Sequence, residues 1–430
     1  MKVVYLVPGS GGTFYCQNCM RDLAMVRALR RRGHDVLMVP LYLPSLEVED
    51  AASGDTPVFF GGINVYLQER FGLFRHTPRW LDTLFDLPLL LKCAAKREGS
   101  TKAAGLGSMT LSMLKGRNGH QKKELDRLIT WLADREHPDI VHISNALLIG
   151  VAAEIKRTLH TPVVCSLQDE DGWLDALDPP YNKLCWRTIS ELAADIDLFI
   201  SVSHWYADFM AGRMGVSPES IRTAHIGIDI AETGDPNIPF DPPVIGYLSK
   251  MTESLGLGTL VDAFIELKRK PGLDGIKLRA TGGITGSDKR FVAELKNRLA
   301  NEGMDGDADF LDRFDDDARN RFLQSISVLS VPTKRPEAFG TYLIEAMAHG
   351  VPVVQPAVGA FPELIESTGG GLLYDAKEPT ALETALESLL RDENRARELG
   401  RRGYVAVRDR FSVDTMADCV ADIYEEVVSA

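Results

Sequence analysis

Glu337 and Glu345 stand eight positions apart in EAFGTYLIEAMAHGVPVV (337–354), on either side of a Gly–Thr step. The preceding run SVLSVP (327–332) reads as a strand, and TKRPEAFG as the loop leaving its carboxyl end. Gly340–Thr341 then opens a helix that runs to His349–Gly350. A helix N-terminus at the carboxyl edge of a strand presents backbone N–H groups and a partial positive charge, which suits a phosphate. Glu345, about one turn into that helix, is placed to accept hydrogen bonds from two vicinal hydroxyls. Glu337, ahead of the helix, is placed to reach a second polyol. The competing reading is a helix with an acidic first turn, favoured by its dipole.

Three other stretches invite chemistry. In VVCSLQDED, Gln168 and Asp169 follow a strand-like run. Gln168 can donate a hydrogen bond but cannot act as acid or base; Asp169 could stabilise positive charge, or cap the next helix. CQNC (16–19) has the spacing of a redox or zinc pair, but no second close ligand pair is visible, so packing or a substrate-wall role is the better reading of Cys16 and Cys19. FDDDARNRF (314–322) is acidic but precedes a helix, where capping and the dipole account for it, and no metal site is expected. His142, in DIVHIS, is read as structural.

The elements that position these residues follow a βαβ rhythm. KVVYLV is a short apolar run, followed by the glycine-rich PGSGG, a helical stretch ending at Gly33 and the strand-like DVLMVPLYL. The strand pattern returns in DIVHIS (139–144), TPVVCSL (161–167) and DLFISVS (197–203). After the proline-rich DPNIPFDPPV (235–244) it starts again with VIGYLS, the helix GTLVDAFIELKRK, IKLRATGG, DADFLDRF, SVLSVP and VPVVQP. Such alternation builds parallel sheets in an α/β protein. Two halves are expected, residues 1–234 and 235–410. A closing amphipathic helix (411–430), FSVDTMADCVADIYEEVVSA, carries a capping serine. Residues 75–125 break the rhythm and read as a partly helical insertion in the first half.

PEAFGTYLIEAMAHGVPVVQPAVGAFPELI, with GGGLLYDAKEPTALETALESLL after it, resembles the donor half of the retaining glycosyltransferases of family 4, which have the GT-B fold. That family carries two glutamates separated by seven residues, then EAMA-x-G-x-PVV, then a G-x-x-E step matched here by Gly359, Glu363, Leu364 and Ile365. The resemblance extends over the chain through the N-terminal glycine loop, RGHDV, PDIVHIS and the closing helix. It implies two Rossmann-like domains facing across a cleft, with the last helix crossing back to the first. It further implies that Glu345 holds a nucleotide ribose and Glu337 the donor sugar, with the amides of Phe339, Gly340 and Thr341 near the diphosphate. Gly11 and Gly12 would let the backbone approach the donor.

Two departures stand out. Where the family has an arginine and then a lysine to neutralise the leaving diphosphate, SKMTESLGLGTLVDAF (249–264) offers Lys250 and then Leu255, with Gly256 kept. One donor group to a developing oxyanion is worth roughly 2.7–4 kcal/mol. Arg335 or Lys334 could substitute. Where the family has a histidine that contacts the donor sugar, this chain has Gln168, with Asp169 as a possible replacement.

Composition bounds the alternatives. The chain has 430 residues, 45% of them hydrophobic, and a net charge of −13. The acidic balance argues against nucleic acid as the main partner. No apolar run approaches the ~20 residues of a membrane span, and the N-terminus lacks a secretory core, so a cytoplasmic location is expected. Residues 80–92 are nearly continuous apolar sequence interrupted by Pro88, and packing is favoured over membrane contact. The expectation is a metal-independent retaining glycosyltransferase, using a nucleoside diphosphate sugar as co-substrate, no cofactor, and an unidentified acceptor. A nucleotide- or sugar-binding protein without transfer, a sugar-nucleotide epimerase and a phosphorylase remain the rivals.

Overall fold

The computed structural model describes residues 1–8, 17–41, 105–230, 236–284, 286, 288–311 and 315–430. The chain divides into two compact units, Met1–His225 with Met416–Ala430, and Ile226–Thr415. Gly11, Gly12, Cys16 with the pair it forms with Cys19, the 80–92 segment and most of the 75–125 insertion lie outside the described residues. The described end of that insertion forms the helix Gly107–Leu114 and the start of Lys122–Trp131.

The first unit is built on a six-stranded sheet, with β1 (Lys2–Val7), β2 (Asp35–Pro40), β3 (Ile140–Ile143), β4 (Val163–Leu167), β5 (Leu198–Ser201) and β6 (Ile221–Thr223). The order is β2-β1-β3-β4-β5-β6, and every pairing is parallel. β3 and β4 are buried at every position, which explains why they read as unbroken apolar runs instead of alternating ones. Ile221–Thr223 was not expected from the sequence; it is only three residues long.

The closing helix, Val413–Ser429, starts with Ser412 Oγ accepting from the Thr415 N–H at 2.9 Å. Its buried Tyr424 places a hydroxyl 2.6 Å from His142 Nδ1, while His142 Nε2 lies 2.8 Å from Ser166 Oγ. Both ring nitrogens therefore have partners, and burial holds this histidine's pKa well below its ordinary value. His142 is a neutral core residue that ties the helix to β3 and β4. Beside it, Arg21 and Asp22 form a buried ion pair of 2.6 Å, completed by the Tyr5 hydroxyl at 2.9 Å from Asp22 Oδ1.

The second unit contains β7 (Val244–Leu248), β8 (Lys277–Thr281), β9 (Ala308–Phe310), β10 (Val328–Leu329), β11 (Val353–Pro356) and β12 (Gly371–Tyr374). Their order, β12-β11-β10-β7-β8-β9, is all parallel. Counted within the unit, that is the 3-2-1-4-5-6 order of a doubly wound sheet, whose direction of winding reverses between β7 and β10. In such sheets ligands bind outside the carboxyl ends of the strands flanking the reversal. The helix Thr341–Ala348 is buried from Tyr342 to Ala348, so it shows no clean amphipathic stripe. Among the described residues no helix is long and apolar enough to cross a membrane.

Candidate functional site

The loops leaving β7 and β10 meet at the reversal of the second sheet. Tyr247, at the end of β7, donates its hydroxyl to the carbonyls of Lys250 (2.9 Å) and Leu255 (3.3 Å), which folds the 249–256 loop back on itself. The Lys334 N–H donates to Ser254 O at 3.0 Å, stitching this loop to the one after β10. Gly256 sits at φ +80°, and a Cβ there would lie 1.8 Å from Pro332 O. Only glycine lets the two loops approach this closely.

On the β10 side, Thr333 Oγ1 accepts from the Arg335 N–H at 3.3 Å and donates to Arg335 O at 2.9 Å, forming a tight turn. Glu337 follows, half-buried. Its Oε2 accepts from the Tyr342 hydroxyl at 3.0 Å, and its backbone carbonyl accepts from the Ala360 N–H at 3.1 Å. Gly359, at φ +60°, lies so near that a Cβ would come within 2.6 Å of Glu337 N and O. The G-x-x-E step thus holds the Glu337 loop from behind. Gly340, at φ +90°, occupies the N-cap of the helix Thr341–Ala348. Phe339 turns its side chain inward, its ring centroid 6.2 Å from that of Phe411, so only its backbone is available to a ligand.

Glu345 is buried in the second turn, and no acidic residue lies in the first turn of its helix. The reading of this glutamate as a dipole-stabilising acidic start is therefore corrected: that effect is confined to the first turn. Its Oε1 lies 3.5 Å from Arg319 Nε, and its Oε2 has no hydrogen-bond partner. Burial raises the pKa of this carboxyl, Arg319 lowers it and Asp316 adds to the rise. A buried carboxylate short of donors costs free energy unless a ligand completes it. Vicinal hydroxyls would do so.

The cations are unequal. Lys250 is exposed and lies 3.5 Å from Asp288 Oδ2, so part of its charge is already matched. Lys334 extends outward to Glu253 at 3.1 Å. Arg335 is exposed, and among the described residues its guanidinium forms no ion pair. Leu255 is half-buried at the position where a second loop cation was expected.

The residues expected in the first unit lie at the carboxyl end of β4. Gln168 is buried, donates its side-chain amide to Ser144 O and leaves Oε1 unpartnered. Asp169 is exposed at φ +71°, in the N-cap position of the helix Glu170–Asp175, yet it makes no side-chain cap. The capping role weighed for it is not realised. The capping expected of the DDD stretch is: Asp315 Oδ1 accepts from the Ala318 N–H at 2.9 Å.

Sequence reasoning missed four participants. Tyr342 and Tyr247 sat unremarked inside apolar runs. Arg319 was hidden in a stretch read only for its acids. Glu170 is buried, accepting from the Ala146 N–H (3.0 Å), the Gln168 N–H (2.7 Å) and the Tyr206 hydroxyl (3.1 Å). Burial raises its pKa to about 7. A charged residue next to a strand end gives no sign that it faces inward.

The second unit is therefore a doubly wound α/β domain. Its sheet reversal carries a helix N-terminus between two carboxylates. A family model described as Glycosyl transferases group 1 matches residues 231–406, and one described as Glycosyltransferase Family 4 matches residues 110–232. The two matches adjoin and together span residues 110–406, both describe glycosyltransferases, and the chain is a glycosyltransferase with the GT-B fold. It is 23% identical over 266 residues to a D-inositol 3-phosphate glycosyltransferase of Corynebacterium kroppenstedtii, a stretch covering 59% of this chain and 58% of that protein. The fold is similar to sucrose-phosphate synthase from Thermosynechococcus elongatus, with a TM-score of 0.71 and 18% identity over 100% of this chain and 99% of that one. It is also similar to the Anabaena protein Alr3699/HepE, solved in complex with UDP, with a TM-score of 0.68 and 18% identity over 99% and 100%.

Proposed function

We propose that this protein is a retaining glycosyltransferase that takes its sugar from a nucleoside diphosphate donor. The observation that carries the reading is Glu345: a buried carboxylate with an unpartnered oxygen, in the helix that starts at the sheet reversal. Glu345 would accept from the ribose hydroxyls and Glu337 from hydroxyls of the transferred sugar. The diphosphate would lie at the amides of Phe339, Gly340 and Thr341. Lys250 and Arg335 would neutralise the charge that develops on the departing phosphate, with no metal ion called for. That Alr3699/HepE was solved with UDP and with UDP-glucose supports a nucleotide-sugar donor. The acceptor is expected to attack from the face the phosphate leaves, so that the phosphate takes the acceptor proton. This suits a donor site in which the two carboxylates are engaged in holding hydroxyls. The roles of Gln168 and Asp169 rest on the family resemblance.

Leu255 favours one rival, a protein that binds the donor without transferring it, because a second cation in the β7 loop is missing. A panel of nucleoside diphosphate sugars, assayed for binding and for slow hydrolysis, separates the two. Turnover of at least one donor is expected. Binding without turnover of any donor would favour the rival, and no binding at all would sink both.

A further inference from the structure

The buried charge of Glu345 needs something to keep it ionised and fixed, and its own loop does not supply it. The Glu345 helix offers His349, whose Nδ1 lies 2.9 Å from Glu345 O and whose Nε2 has no partner. Burial lowers the pKa of His349, which disfavours its charged form. The nearest cation comes from the next-but-one segment upstream, the helix Asp316–Leu323. Arg319 there is mostly buried, its side chain 13% exposed, and its guanidinium spans two carboxylates: Nη2 to Asp316 Oδ1 at 2.9 Å and Nε to Glu345 Oε1 at 3.5 Å.

We propose that Arg319 is the positioning residue of the donor site, engaging one oxygen of Glu345 so that the carboxylate stays ionised and oriented for vicinal ribose hydroxyls. The proposal rests on the ribose reading of Glu345 given above. It assigns a function to FDDDARNRF beyond capping: Asp315 starts the helix, Asp316 braces Arg319, and Arg319 holds Glu345. The two charges facing the Glu345 carboxyl oppose each other, Arg319 favouring ionisation and Asp316 disfavouring it. A guanidinium is suited to this bridging because its planar fork engages two acceptors at once.

The test uses the full chain, titrated calorimetrically with UDP, GDP and ADP. The tightest of these is then compared with its 2′,3′-dideoxy analogue across a pH series running upward from the ordinary carboxyl range, since burial raises this carboxyl. The wild type is expected to prefer the ribose form, and the preference to fade as Glu345 takes up a proton. Arg319→Gln should move the midpoint of that fade upward by about one to three pH units, the size of an opposite charge at this range. Arg319→Lys should restore most of the shift. Asp316→Asn, at an exposed position that leaves the fold intact, should move the midpoint downward. A preference lost equally at every pH in Arg319→Gln, an unmoved midpoint, or an upward movement in Asp316→Asn overturns the proposal alone. A wild type indifferent to the ribose hydroxyls overturns the reading of the site itself.

Discussion

The Tyr342 hydroxyl donates to Glu337 Oε2 across 3.0 Å, linking the second residue of the helix to the carboxylate that precedes it. Tyr342 is itself buried, so its ring is fixed by packing and its hydroxyl acts as a rigid stop for the glutamate. A hydrogen bond to a charged group contributes about 1.5–3 kcal/mol. Tyr342→Phe keeps the ring and removes only the donor. It should lower kcat/KM by roughly tenfold or more while the melting temperature moves little. Unchanged kinetics would show that Glu337 is held by something else.

Gly359 and Glu337 make a second, steric prediction. Gly359→Ala places a methyl 2.6 Å from the Glu337 backbone at a φ of +60°, so either the loop moves or the turn strains. A loss of about 1–3 kcal/mol is expected, with donor affinity falling in parallel. Gly275→Ala is the control, since no atom lies within 4 Å of its added Cβ. Thermal melts of the two variants decide it: equal stability would remove the argument that the G-x-x-E step supports Glu337.

Leu255→Lys tests the missing cation. Leu255 is half-buried in the loop that Tyr247 folds back, so an added ammonium can extend toward solvent from a fixed backbone. If Arg335 does not already neutralise the diphosphate, nucleoside diphosphate affinity should rise by up to about tenfold, and the gain should shrink at high salt. No gain would point to Arg335 as sufficient, and a gain that ignores salt would show that the added side chain acts otherwise than through its charge.

Glu170 predicts how stability depends on pH. Its folded pKa of about 7 lies above the ordinary carboxyl value of 4.5, with burial the first cause. The folded state therefore binds more protons than the unfolded state between those values. The stability this contributes is fully present below about pH 4.5 and is lost as pH rises through about 7, amounting to about 3 kcal/mol. Glu170→Gln should flatten that decline in the first unit, seen as a melting temperature that no longer drops between mildly acidic and neutral pH. A wild-type curve that rises through this window would contradict the assignment.

Much of the architecture was legible because most of these parallel strands are buried and print as short apolar runs between glycines and helical stretches, while Ala308–Phe310, buried at none of its three positions, was read from its place in the alternation. The two short additions were not. Ile221–Thr223 spans three residues, and Gly371–Tyr374 is half-exposed, so neither prints a buried run. The two glutamates and the Gly–Thr step were legible because a helix start after a strand has a sequence form. What holds them was not: Tyr342 stands only five residues from Glu337 but inside an apolar run, Gly359 was read as a motif residue without its contact to the Glu337 backbone, and Arg319 reaches Glu345 from another helix. Asp169 shows the reverse limit, since its type and place suggested a cap that its left-handed backbone does not deliver.

Glu345 is proposed to bind the nucleotide part of a sugar donor. The most direct measurement is the steady-state kinetics of Glu345→Gln beside the wild type, using a nucleoside diphosphate sugar that the wild type turns over. A loss of about a hundredfold in kcat/KM is expected, most of it in KM, because the charge to which the ribose hydroxyls donate is removed and one accepting oxygen becomes a donating amide. Kinetics equal to the wild type, in a variant that melts at the same temperature, would contradict it.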